Sequence, residues 1–465
     1  MIRLASKDKL RPLLIGCGDL LLVLSSFWLA HLVRFGKLKD FGEKFPPFFL
    51  AMLLVAYLTA FYFFDLYTPF SHYFSWPFLM KMAFAIVGGA LGAFLFKYSI
   101  YLFPIGRGLL LIASGILFVL APAWRACCDR WMRYLIRPRQ VLIIGLGKML
   151  MDAGEILGTS PEEYRIVGFI KAADTPWLDQ PPIQYAEIGS VPDLLPLITR
   201  HRIDLLVLAT AQPLPSRLIN DLLIAESRGT EILDLLDIHL RLKKVIPIDF
   251  IKDESWFLRS KAFYSLNSPA KVRIKRFMDL FIVLMIFVLT LPLWPLIVLL
   301  IKASSKGPVF YSQERVGKNE IRFNIHKFRS MIEKAEGDEP VWAKENDYRI
   351  TLIGRILRRL HLDELPQLWN VIVGEMSLVG PRPERPGFYE QINTCIPYFN
   401  LRLLGKPGMT GWAQINCPYA ASVPDSKKKL EYDLYYLIHF NIFLDLKILI
   451  KTVQSIFFRG ELPDG

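Results

Sequence analysis

The stretch from Gly354 to Pro383, GRILRRLHLDELPQLWNVIVGEMSLVGPRP, holds the residues best suited to chemistry. Asp363 and Glu364 are adjacent carboxylates that follow the basic cluster Arg355, Arg358 and Arg359, and Arg382 lies downstream between Pro381 and Pro383. Carboxylates close to guanidinium groups suit phosphoryl chemistry. One carboxylate attacks phosphorus, or both hold a hard cation such as Mg²⁺, while the arginines absorb charge on the phosphoryl oxygens. The same residues also fit a plain structural reading, with Asp363 as an N-cap, Glu364 in the first turn before a tolerated Pro366, and the arginines on a solvated or lipid-facing helix. Residue types alone leave both readings open.

The elements that position these groups include a membrane. The 465 residues are 53% hydrophobic with 33 Phe and a net charge of +13, and mean hydropathy is +0.32, too apolar for an ordinary soluble enzyme. Basic residues beside apolar runs serve membrane topology and anionic head groups. No nucleic-acid reading motif accompanies the charge, so nucleic acid is not an expected partner. Cys17, Cys127, Cys128, Cys395 and Cys417 show neither metal-ligand spacing nor a disulfide framework. Most are expected to be buried, reduced thiols, which places the catalytic part in a reducing compartment. The first apolar run is long enough to span and no small-residue cleavage site follows it, so no cleavable signal peptide is expected.

Four apolar runs, Leu13 to Val33, Pro47 to Leu66, Phe78 to Phe96 and Leu109 to Trp124, each approach the roughly 20 residues that a spanning helix needs. Arg3, Lys7, Lys9 and Arg11 precede the first, and Arg125, Arg130, Arg133, Arg137 and Arg139 follow the last, which puts both ends in the cytoplasm. The loop with Arg34, Lys37, Lys39 and Lys44 runs against that assignment, although Asp40 and Glu43 accompany it. Asp19 and Asp65, near span ends, read as interfacial.

From Gln140 the composition changes. VLIIGLGK reads as a buried parallel strand turning into a helix, and Ile203 to Thr210 as a second strand, which predicts a small α/β domain. Gly145 and Gly147 begin a dinucleotide fingerprint, but Leu150 stands at the third glycine position and no ribose-binding acid is evident, so the domain reads as structural or regulatory. Phe277 to Ile301 is a fifth apolar run. Pro292 and Pro295 remove helical hydrogen bonds within it, and both flanks are basic: Lys271, Arg273, Lys275 and Arg276, then Lys302 and Lys306. That pattern fits a helix that enters one leaflet and returns, with a kinked spanning helix as the other reading. GPVFYSQERVG and IRFNIHKFRSM alternate like short strands; Ile350 to Leu360 and Ile442 to Phe458 read as amphipathic helices for a membrane surface or a core.

KRFMD, SKGPVFYSQERVGK, HKFRSM, LDELPQLWNVIVGEMSLVGPRPE and KPGMTGWAQIN, in this order from Lys275 onward, resemble the bacterial sugar transferase family, the monotopic polyprenyl-phosphate sugar-1-phosphate transferases. The upstream half resembles the long members of that family. The resemblance implies a membrane protein of α plus α/β class: a four-helix transmembrane region over 1–136, a degenerate Rossmann-like domain over 137–262, and a catalytic domain over 263–465 with a re-entrant helix over 277–301. It implies a ping-pong transfer of sugar-1-phosphate from a nucleotide-diphosphate sugar, usually uridine-linked, to polyprenyl phosphate at the cytoplasmic face of the bacterial inner membrane, and is compatible with a homodimer in contact with membrane lipid.

Carried onto this chain, Asp363 matches the nucleophile and Glu364 its partner at the Mg²⁺ site. Arg359 and Arg382, with Lys327 and Arg329 of HKFRSM, match phosphate contacts. Pro292 matches the helix-breaking proline, with Pro295 expected to share in the break, and Lys275, Arg276 and Asp279 match the interfacial group at the helix start. The chain departs from the family at Asn416–Tyr419, where many members have a Gly-Arg pair, and at Leu291, where members often have a small hydroxyl residue. A membrane-bound nucleotide-sugar modifying enzyme would need a complete glycine fingerprint and a Tyr-x-x-x-Lys pair, and neither is present. A non-catalytic scaffold for polysaccharide assembly is the other alternative, and it predicts that Asp363 is dispensable.

Overall fold

The computed structural model describes residues 7–36, 46–67, 72–100, 107–135, 137–171, 185–210, 214–251, 256–257, 263, 266, 268–304, 306–332, 349–417 and 422–457. The chain forms two compact units, one built from the N-terminal helices and the other from a parallel sheet and the elements C-terminal to it.

Helices α1 (Lys7–Phe35), α2 (Pro47–Phe63), α3 (Trp76–Ile100) and α4 (Arg107–Leu135) make the first unit. Its core joins Val23 and Phe27 of α1, Tyr57 and Phe61 of α2, Met82 and Ala85 of α3, and Ala113 and Leu117 of α4, while Leu21, Val55, Leu91 and Leu111 are exposed. Helices apolar on both faces belong in a bilayer rather than in water. Three segments, Arg11–Phe35, Trp76–Phe94 and Gly108–Met132, are long and apolar enough to cross one; α2 is apolar but has 17 residues. Two expectations change inside this bundle. Asp19 is not interfacial and Arg125 is not a flanking charge: both side chains are fully buried and pair at 2.7 Å. Arg125 lies over the Phe61 ring and donates to the carbonyls of Leu66 and Ala121, so most of its donors are satisfied away from water.

The second unit begins with a five-stranded sheet in the order β3-β2-β1-β4-β5: β1 (Arg139–Gly145), β2 (Tyr164–Lys171), β3 (Glu187–Gly189), β4 (Leu205–Ala209) and β5 (Glu231–Asp234). Its described pairings are parallel, with Val141 opposite Leu205 and Leu205 opposite Glu231. Helices α5 (Gly147–Gly158), α6 (Leu194–His201), α7 (Ser216–Ser227) and α8 (Leu235–Leu242) alternate with the strands. This is the α/β arrangement expected from the buried apolar strands. Gly145 is required where β1 meets β4, because a Cβ there would lie 2.4 Å from the Ala209 carbonyl oxygen.

Helices α9 (Pro269–Thr290) and α10 (Leu293–Ser304) form a pair bent by 63°. Pro292 stands at the break; Pro295 is the third residue of α10, in a first turn whose N–H groups have no intrahelical acceptor, so it starts α10 rather than bending α9. The hydroxyl missing at Leu291 is found one position earlier: Thr290 donates to the Ile286 carbonyl at 2.8 Å, a back-bond that favours bending. The pair buries Val283, Ile297 and Ile301 and exposes Leu284, Val288, Leu289 and Leu299.

The buried face meets an antiparallel hairpin, β6 (Phe310–Val316) and β7 (Arg322–Phe328), with Phe310 opposite Phe328. Beyond it come α11 (Leu352–Arg359), a 3₁₀ helix Leu362–Gln367, α12 (Leu368–Val373), β8 (Ser377–Val379), α13 (Pro386–Cys395), a 3₁₀ helix Phe399–Leu404, β9 (Gly408–Thr410), α14 (Trp412–Asn416), α15 (Val423–Ile438) and α16 (Ile442–Phe457). Strands β8 and β9 pair in parallel. The hairpin and both amphipathic helices therefore lie where alternation and periodicity placed them.

The segment after α8 also enters this region. Trp412 Nε1 donates to the Lys244 carbonyl at 3.0 Å, and the Ile246 and Ile248 amides donate to the backbone and side-chain oxygens of Glu431, each at 3.1 Å. Ile246 and Ile248 are buried with Phe388, Ile392, Leu430 and Leu434. The cysteines differ from expectation: all five are free, but only Cys128 and Cys417 are buried, because Cys17, Cys127 and Cys395 fall on outward helix faces.

Helix α11 is capped by Thr351, whose hydroxyl accepts from Gly354 N at 2.9 Å, and at Gly354 it reaches the segment just after β7, where a Cβ would lie 1.9 Å from the Ser330 carbonyl oxygen. Gly354→Ala is expected to push α11 off that backbone and lower stability by about 1–3 kcal/mol, measured as a fall in the thermal unfolding temperature of the detergent-solubilised protein.

Candidate active site

Three elements converge on one point. The 3₁₀ helix Leu362–Gln367 carries Asp363 and Glu364 in its first turn, β7 carries Lys327, and the loop after β8 carries Arg382. Lys327 Nζ lies 2.7 Å and Arg382 Nη2 3.0 Å from Glu364 Oε1. Asp363 is not an N-cap, since His361 holds that position in the left-handed region at φ 53°. Asp363 is 7% exposed, and among the described residues its carboxylate makes no hydrogen bond or ion pair.

Burial and charge separate the two acids. Burial works to raise the Glu364 carboxyl, but Arg382 and Lys327 outweigh it and hold it well below the usual range. Burial pushes the Asp363 carboxyl upward, and neighbouring Glu364 adds to this against the opposing charges of Lys327, Arg358 and His361. Burial lowers Lys327, with Glu364 opposing. The result is one carboxylate anchored between cations and one left with free oxygens.

Asn370 fixes the register of these parts. It is fully buried; its Nδ2 donates to the Asn324 carbonyl and to Glu375 Oε2, both at 2.7 Å, and its Oδ1 accepts from His326 N at 3.3 Å. It thereby ties β7 at Asn324 and His326, on either side of Ile325, to α12, next to the residue, Lys327, that pairs with Glu364.

The other expected residues separate. Arg358 donates from Nε to Ser330 Oγ at 2.8 Å and contributes to the field at Asp363, whereas Arg359 is exposed on the last turn of α11. Arg329 is buried, with its amide donating to the Val309 carbonyl. Lys275, Arg276 and Asp279 act inside the protein. Lys275 pairs with buried Asp445 at 2.8 Å, Asp279 accepts from Ser377 Oγ at 2.7 Å, and Arg276 Nη2 donates to the Ile372 carbonyl at 2.7 Å at the end of α12. They pin α9 to α16, β8 and α12. Pro418 and Tyr419, part of the departure after GWAQ, lie outside the described residues. Among the described residues no group of three or more His, Cys, Asp or Glu is placed to hold a metal ion. Sequence reasoning missed Asn370, and within the basic cluster it singled out Arg359 where the structure brings Arg358 to Asp363: an asparagine that binds backbone carries no chemical signal, and adjacent helical arginines differ only in the face they occupy.

Residues 270–459 match the family model for the bacterial sugar transferase. An exopolysaccharide production protein PSS of Rhizobium leguminosarum is 39% identical over 197 residues, which is 40% of this chain and 97% of that protein. The chain belongs to the bacterial sugar transferase family. Within that family it is also 42% identical over 191 residues to a UDP-N-acetylgalactosamine-undecaprenyl-phosphate N-acetylgalactosaminephosphotransferase of Aeromonas hydrophila, covering 41% of this chain and 45% of that protein. A UDP-glucose:undecaprenyl-phosphate glucose-1-phosphate transferase of Klebsiella pneumoniae is 41% identical over 181 residues, 38% of this chain and 39% of that protein. The matched segment thus spans less than half of the two longer relatives. It contains the whole convergence of Lys327, Asp363, Glu364 and Arg382.

For this family member the depressed Glu364 fixes a pH dependence. A carboxyl whose folded value lies below its ordinary 4.5 adds stability that is present above pH 4.5 and is lost as pH falls below it. Thermal unfolding at pH 6 and pH 3 is expected to show an acid loss smaller in Glu364→Gln by about 2 kcal/mol; equal acid losses in both proteins would contradict the anchoring of Glu364.

Proposed function

We propose that the protein transfers sugar-1-phosphate from a UDP-sugar to undecaprenyl phosphate through a covalent intermediate on Asp363, as a first step of exopolysaccharide, capsule or O-antigen synthesis. The observation that carries this reading is the free, buried Asp363 carboxylate beside a Glu364 held by Lys327 and Arg382. In the first half-reaction an Asp363 oxygen attacks the phosphorus that bears the sugar; its bond to the UMP oxygen breaks, leaving an aspartyl phosphosugar and UMP. In the second, a phosphate oxygen of undecaprenyl phosphate attacks the same phosphorus and restores the carboxylate, giving undecaprenyl-diphosphate-sugar. Arg382 and Lys327 lie where they offset charge on the phosphoryl oxygens in both steps.

The donor set suits Mg²⁺, which takes one or two carboxylates and completes its shell with substrate phosphate and water. Asp363 and the second oxygen of Glu364, the one not engaged by Lys327 or Arg382, would hold it, and there it would neutralise the diphosphate.

The membrane reading goes with this. Helices α1–α4 are proposed to cross the bacterial inner membrane, and α9 and α10 to enter and leave by its cytoplasmic face, setting the site at the depth of the acceptor's phosphate. The 63° bend at Pro292, the apolar outer face of the pair and the basic residues at both of its ends support it.

Two experiments test these points. Purified protein with Mg²⁺ and a panel of UDP-sugars, without lipid acceptor, is expected to gain the mass of a sugar phosphate and to release UMP. Asp363→Asn is expected to lose both by at least about 10³-fold while remaining folded; an adduct on Asp363→Asn would reject this nucleophile. With the native cysteines replaced by serine, single cysteines at Ser268 and Lys306 are expected to react with an impermeant maleimide only after the inner membrane is opened. Labelling of one of the two but not the other from the outside would make the α9–α10 pair a spanning segment, and labelling of both would reject the cytoplasmic face.

A further inference from the structure

Arg382 is held by a loop with an unusual set of attachments. Pro381 and Pro383 have no N–H groups, so the loop is gripped chiefly through its carbonyls. Four successive carbonyls each accept a bond. Pro381 O takes Gly408 N at 2.9 Å, Arg382 O takes Arg402 Nη2 at 2.9 Å, Pro383 O takes Arg315 Nη1 at 3.2 Å, and Glu384 O takes Val316 N at 2.9 Å. The partners come from β9, the 3₁₀ helix Phe399–Leu404 and β6. Two are backbone amides, set by the fold. The other two are side chains, and Arg402 acts at the residue that matters.

Arg402 is 3% exposed and stands between two acids, 2.8 Å from Asp433 Oδ2 and 3.2 Å from Glu384 Oε1, with its guanidinium over the Phe399 ring. Asp433, on α15, is itself 1% exposed. A buried ion group of this kind is a poor way to gain stability, because desolvation cancels most of the attraction and an apolar replacement often does as well. What apolar residues lack is the planar fork of donors that bridges two carboxylates and a carbonyl at once, and lysine has only a point charge. The geometry therefore has a use at the carbonyl of Arg382, whose own side chain reaches Glu364 at 3.0 Å.

We infer that Arg402 is a positioning residue: braced by Asp433 and Glu384, it fixes the backbone at Arg382 and so aims the guanidinium that binds Glu364 and the phosphoryl group. The phosphoryl part rests on the transferase reading above; the aiming of Arg382 does not. Displacement of such a group by about 1 Å is enough to cost on the order of 10²-fold in rate.

Two measurements on the full-length protein in detergent test this. Brief treatment with phenylglyoxal followed by peptide mass mapping reads the availability of the Arg382 side chain. In Arg402→Lys, labelling of Arg382 is expected to rise several-fold while exposed Arg322 is unchanged; unchanged labelling of Arg382 overturns the inference, whether or not the protein turns over any UDP-sugar. The second measurement is a double-mutant cycle on UMP release. Arg402→Lys is expected to slow release by about 10–100-fold in the unchanged protein and by less than about 3-fold in Arg382→Ala, because the two act through one group. Equal factors in both backgrounds, or no effect in either, also overturn it, since a merely structural role would slow both alike. Absence of UMP release from the unchanged protein would count against the transferase reading and leave the labelling result to decide this one. If Arg402→Lys does not fold, Arg402→Gln/Asp433→Asn, which removes both charges of the pair, goes through the same two measurements with the same criteria.

Discussion

Glu364 is gripped by two cations that arrive from different elements, and the site depends on that grip. Lys327 comes from a strand of the hairpin and Arg382 from a loop some fifty residues later, and both end on one oxygen of a carboxylate in a 3₁₀ turn. Each charge taken alone would be costly to bury; together they satisfy one another and locate three pieces of chain to within a hydrogen-bond length. Asp363, the next residue back, shares the low-dielectric surroundings and feels the charge of Lys327, but it makes no ion pair with either cation. Two neighbouring acids are thus given opposite environments, one fixed and ionised, the other free at the oxygens, which is the separation that acid pairs need for different roles.

The same economy governs the apolar half of the region. The α9–α10 pair has two faces with different partners: Val283, Ile297 and Ile301 join the core that contains Leu365 and Leu368, while Leu284, Val288 and Leu289 face outward. The bend comes from Pro292 together with the Thr290 back-bond, and the pins from Lys275, Arg276 and Asp279 stop the pair from pivoting on its anchor. The N-terminal bundle solves its own polar problem by pairing Asp19 with Arg125 out of reach of solvent.

Much of this was legible in the sequence. Alternation placed β6 and β7, periodicity placed α11 and α16, and residue chemistry with the ordered motifs singled out Lys327, Asp363, Glu364 and Arg382. The features that escaped share one physical property: they depend on pairings between distant positions or on backbone atoms, neither of which leaves a mark in composition. Asp19 and Arg125 are 106 residues apart and look like flanking charges until the helices are side by side. Asn370 and Arg402 bind carbonyls, which every residue has. Arg358 and Arg359 cannot be told apart without knowing which side of α11 meets Ser330. The exposed Cys17, Cys127 and Cys395 show the limit of an average preference applied to individual thiols.

The segment that matches the family begins at residue 270, and a relative in Rhizobium is scarcely longer than that segment. In this chain the boundary of the working part lies further upstream. Lys244 receives the Trp412 indole, and Ile246 and Ile248 complete a core with α13 and α15. The connection that follows α8 is therefore a structural part of the catalytic half. Residues 270–459 cut out alone would bare the apolar side chains of Phe388, Ile392, Leu430 and Leu434 that Ile246 and Ile248 cover, so a cut upstream of residue 244 is the one that keeps this core whole.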